Sequence, residues 1–141
     1  MRTSFYILLA IIMCATLIPT HAQKVNPAMD TVEWFYSKIE NKVRNESVSI
    51  SGKFISYGGK SFKWIQNGVD REYTFDNKST MGDWFDSSQE GEFTYRSSCK
   101  DINGTIRIYR DKRKVFIVLD FVQPEKRTPH LVFEITSYAK L

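Results

Sequence analysis

Apolar residues at every second position, in short runs separated by turn-forming residues, constrain this chain more than any other feature. From Glu46 onward Val48, Ile50 and Phe54 alternate, as do Phe93 with Tyr95, Ile106 with Ile108, and Leu131 with Phe133 and Ile135. Turn residues interrupt the pattern at intervals of about 8 to 15 residues, the signature of an antiparallel meander. Successive side chains of a strand point to opposite faces, so a period of two gives each run one apolar and one polar face. Val115 to Phe121 is apolar on both sides, as expected of a strand covered on two faces.

Asn67-Gly68 is the strongest hairpin signal in the chain. With those two residues as the loop, Gln66 faces Val69, Trp64 faces Arg71, Lys63 faces Glu72 and Phe62 faces Tyr73. The register then offers an aromatic pair, an opposite-charge pair and a cation–π contact. Asn103-Gly104 is a second hairpin signal. Asp76 to Gly91 reads as a long polar loop with Met81, Trp84 and Phe85 in its middle. Loops of that length usually carry a function or pack back on the domain.

Before the meander, Met29 to Val43 reads at the helical period. Asp30 can cap the first turn while Glu33 reaches back to it. Val32, Phe35, Tyr36, Ile39 and Val43 then form one stripe, and Trp34, off that stripe, forms a hydrophobic staple with Met29. The expected fold is therefore α+β, one N-terminal amphipathic helix packed on a curled antiparallel β-meander of about six or seven strands. A helix followed by antiparallel strands resembles the cystatin-like topology, whose members include exported inhibitors of cysteine proteases. The Gln-x-Val-x-Gly inhibitory loop of that group is absent, since Gln66-Asn67-Gly68-Val69 holds the same residue types in another order.

Residues 1–22 have the pattern of a cleaved signal peptide: Arg2, an apolar stretch from Phe5 to Ile18, and small residues in Thr20-His21-Ala22. The expected product is a secreted or periplasmic single domain, 23–141, with no membrane span after cleavage. Removing the leader takes Arg2 and no acid, so 20 Lys and Arg become 19 against 16 Asp and Glu, a net charge of +3. Cys14 leaves with it, so Cys99 has no intrachain disulfide partner and reads as a small buried hydrophobe. Three glycosylation sequons begin at Asn45, Asn77 and Asn103, all in expected loops or turns.

The catalytic inventory is short. With the leader gone His130 is the single histidine, so no multi-histidine metal centre is expected. No nucleophile elbow, phosphate-binding loop, EF-hand or paired-cysteine motif occurs, and no cofactor is expected. Charge is segregated, with seven acids against two bases in Val69 to Glu92 and nine bases against four acids in Arg96 to Arg127. Arg107, Arg110, Lys112, Arg113 and Lys114 cluster around one turn and can contact an anionic glycan, a lipid headgroup or an acidic partner. Export argues against nucleic acid. These features describe a non-catalytic binding module whose partner is a protein or glycan outside the cytoplasm. Trp84, Phe85, Tyr57, Arg110 and Arg113 are its candidate contact residues. An inhibitor of a secreted hydrolase, using the acidic loop, and a small hydrolase using Asp83 and Asp86 are the alternatives.

Overall fold

A computed structural model describes residues 24–67, 71–122 and 130–141. It is all-β in these residues, and the expected N-terminal helix is not there. The strands are β1 (Thr31–Asn41), β2 (Glu46–Val48), β3 (Gly52–Tyr57), β4 (Ser61–Gln66), β5 (Arg71–Met81), β6 (Gly91–Cys99), β7 (Ile102–Asp111), β8 (Lys114–Val122) and β9 (His130–Lys140). Sequential neighbours pair antiparallel from β3 to β9, and β1 pairs with both β3 and β9. The result is a closed eight-stranded up-and-down barrel, with β2 as a short appendage on the end of β1. The expected signal peptide lies outside the described residues.

Segment 31–41 is a strand because its most apolar side chains also alternate. Val32, Trp34 and Tyr36 all point into the barrel and are buried, whereas Glu33 and Phe35 lie on the outer face. Its β-branched and aromatic content suits a pleated surface, and closure requires a strand to pair with the free edges of β3 and β9. Asp30 does not cap a helix. Its carboxylate accepts from the Asn26 amide at 2.8 Å and pairs with Lys140 at 2.9 Å, which fixes the chain's entry into β1. The cystatin-like topology falls with the helix.

Two irregularities in the β1–β9 pairing shape the outer surface. Tyr36 pairs with Ile135 but Ile39 pairs with Phe133, so β1 has one extra residue there. Such a bulge switches the facing of the residues beyond it. Ile39 therefore packs toward the core, while Lys38 and Glu40 emerge on the outer face.

The hairpins also differ from expectation. Gln66 pairs with Arg71, Trp64 with Tyr73 and Phe62 with Phe75, a register two residues away from the one the Asn67-Gly68 turn implies. A slip of two preserves the facing of every side chain, so the aromatic face survives. Trp64 stacks on Tyr73 at 5.3 Å instead of meeting Arg71, and Lys63 still reaches Glu72 at 2.8 Å. Residues 68–70 lie outside the described residues. The β6–β7 turn is Lys100-Asp101, with Lys100 at φ 54°, and Asn103-Gly104 lies inside β7. Gly104 is there for close approach, because a Cβ would collide with the Asp120 carbonyl of β8.

The barrel interior is largely aromatic. Phe54 meets Phe62 at 5.1 Å and Phe133 edge-on at 4.8 Å, and Tyr36 meets Phe133 at 4.9 Å. Trp34 Nε1 donates to Ser56 Oγ at 3.0 Å, which satisfies both polar groups in the core.

Candidate functional site: the apolar mouth of the barrel

The two ends of the barrel are built differently. At the end where β1 begins, residues 24–30 and the β5–β6 loop cover the opening. Val25 and Pro27 are buried, and the Ser87 amide donates to the Val25 carbonyl at 2.9 Å. Trp84 lies in this cover, 2% exposed, with its Nε1 donating to the carbonyls of Asp86 (2.8 Å) and Gln89 (3.0 Å). Its ring rests against Gly91, where any side chain would overlap it. Arg110 ties the cover to the wall, donating from Nε to the Ser87 carbonyl at 2.6 Å and from Nη2 to the Tyr138 hydroxyl at 3.2 Å. Asp86 accepts from the Ser88 hydroxyl and amide, and these hydrogen bonds, with Lys24 beside them, hold its carboxyl below the usual range.

The contact residues expected from sequence therefore have different settings. Trp84 and Arg110 hold the closed end together. Phe85, 60% exposed, and Tyr57, 36% exposed, reach solvent. Arg113 is exposed at the β7–β8 turn, where its carbonyl accepts from Arg110. Two bases around that turn are paired with acids, Arg107 with Glu92 and Lys114 with Glu134 at 2.8 Å, and Glu90 accepts from the Lys112 backbone amide.

At the opposite end the interior forms an apolar cup of about 140 Å³. Trp64 of β4 and Tyr73 and Phe75 of β5 make one wall. Cys99, Ile102, Leu119, Phe121 and Leu131, from β6 to β9, make the other. Every one of these positions is an inward position of its strand, so alternation and register together create the lining. Trp64 is anchored by its Nε1, which donates to the Tyr36 hydroxyl at 2.8 Å, and by stacking on Tyr73. Phe75 and Phe121 meet across the barrel at 4.9 Å. Cys99 has its thiol among these carbons. His130 is elsewhere, paired on the outer face with Asp120 at 2.6 Å.

Sequence reasoning missed the cup because it took Trp64 and Tyr73 as sheet-face residues without a closed barrel to enclose them. Among the described residues no group of three or more His, Cys, Asp or Glu side chains is placed to hold a metal ion. What fold and site define, among the described residues, is an up-and-down antiparallel barrel with one plugged end and an apolar cup at the other, the end whose connections 68–70 and 123–129 lie outside the described residues. No protein family matches the chain, and no curated protein or solved structure is significantly similar to it.

Proposed function

We propose that this chain is an exported, non-catalytic binding module that takes a small neutral apolar group, a single ring or a short alkyl chain, into the mouth of its barrel. The observation that carries the reading is the cup itself, an almost purely apolar recess at one end of the barrel interior. Barrels of about eight strands are either filled by side chains or hold one small ligand, and barrel mouths are preferred ligand sites. A recess of about 150 Å³ lined by Leu, Ile and Phe stays dry and accepts a molecule the size of benzene. The cup offers no charge to a polar ligand, so a charged group would have to stay outside.

Each methylene buried there contributes about 0.8 kcal/mol, so a short chain alone binds weakly. A protein or glycan carrying such a group, touching the rim as well, would bind more tightly.

The test is a titration of residues 23–141 with benzene and with short-chain alcohols, monitored by Trp64 fluorescence. Saturable change is expected, with protection of Cys99 from alkylation. Ile102→Trp, which fills the cup from its rim, is expected to abolish both effects without lowering the melting temperature. Equal responses in wild type and Ile102→Trp would refute the reading.

A further inference from the structure

A second cavity, of about 320 Å³, lies on the outer face of the barrel over β1, β9, β8 and β7. Outward positions of a barrel in water are normally polar, yet the floor here is Tyr109, Phe116, Val118 and Val132. Val118 is buried although it points away from the core. Tyr109 and Phe116 are stacked at 5.2 Å and 25°, and both rings remain half-exposed. This accounts for the two-sided apolar character of β8, whose outer side has no covering layer among the described residues.

The walls carry both signs of charge. Lys38, Lys42 and Arg107 are matched by Glu40, Asp120 and Glu134. Most of these groups are fixed by a partner: Glu40 takes hydrogen bonds from Lys38 at 2.8 Å and from Lys42, Asp120 is paired with His130, and Arg107 pairs with Glu92 while lying 4.5 Å over the Tyr109 ring. The bulge in β1 is what aims Lys38 and Glu40 into this wall.

An anionic ligand here would meet three carboxylates, and a cationic one would meet three bases. A neutral polyol meets neither penalty, because each hydroxyl both donates and accepts and can serve fixed donors and acceptors in turn. An apolar floor with half-exposed aromatic faces completes what a pyranose ring needs, since one side of that ring is lined by C–H groups. The volume reaches the lower end of ordinary small-ligand sites, about 300 to 1,000 Å³. From this combination we infer that the outer groove over β8 and β9 is a binding site for a neutral saccharide, independent of the apolar mouth.

The experiment is saturation-transfer and amide-shift NMR on residues 23–141 with cellobiose, maltose and N,N′-diacetylchitobiose, each at millimolar concentration. At least one is expected to bind and to shift the amides of Tyr109, Phe116 and Val132 while leaving those of Cys99 and Ile102 unmoved. Glu40→Gln and Asp120→Asn are expected to abolish those shifts, with melting curves showing that both variants remain folded. Ile102→Trp is expected to leave them intact, which separates this site from the mouth. Binding that persists in both charge variants, shifts confined to the mouth, or no binding by any of the three sugars would overturn the assignment. So would a sulfated polymer or a charged peptide moving the groove amides where neutral sugars do not.

Discussion

Tyr95 shows how little slack the interior has. Its ring is fully buried against Phe93 at 4.9 Å, and its hydroxyl has no hydrogen-bond partner among the described residues. A buried hydroxyl without a partner costs about 1–3 kcal/mol, so Tyr95→Phe should be neutral or stabilise the fold by about 1 kcal/mol in urea denaturation. Burial also raises the phenol above its ordinary value of 10.0. The folded state thus keeps a proton that the unfolded chain releases, and stability should decline as the pH rises through 10. In Tyr95→Phe that alkaline decline should be shallower; an unchanged slope would mean the phenol does not couple to folding. The sequons are legible as motifs but not in their settings. Asn45 occupies a turn at φ 52°, Asn103 is exposed within β7, and Asn77 of β5 has its amide nitrogen buried and its Oδ1 accepting from Ser97 of β6.

At the scale of elements, the runs from Glu46 onward are readable because each alternates on its own. Segment 31–41 is not, since Val32, Phe35, Tyr36 and Ile39 satisfy a helical stripe as well as a strand. Only pairing with β3 and β9 decides between them. The side chain that distinguishes the two is Trp34, a staple at the edge of a helix but a fully buried core residue in β1. Trp34→Ala should therefore cost about 3–5 kcal/mol, and Phe35→Ala, on the half-exposed outer face, clearly less. Comparable losses by chemical denaturation would argue against the strand. Asn103-Gly104 draws the second expected hairpin to the wrong place because the β6–β7 turn puts Lys100 at positive φ, a conformation that residue type does not advertise.

For the whole molecule, closure converts a list of half-apolar strands into a barrel that, among the described residues, has one end plugged and an apolar cup at the other. The plug is partly legible: an aromatic-bearing polar loop is expected to pack back or carry a contact, and Trp84 packs back. The cup is not legible, because it belongs to no segment; its lining comes from six strands, and only the closed register places Trp64 opposite Leu131. The proposed ligand class rests on shape and polarity alone, so the most direct measurement uses the simplest probe. NMR of isotope-labelled 23–141 under xenon pressure should shift the methyl groups of Leu119, Leu131 and Ile102 in a saturable way, with Ile102→Trp abolishing the shifts at Leu119 and Leu131. No xenon-dependent shift at those methyls, or shifts equal to those of surface-exposed methyls such as Val48, would contradict the account.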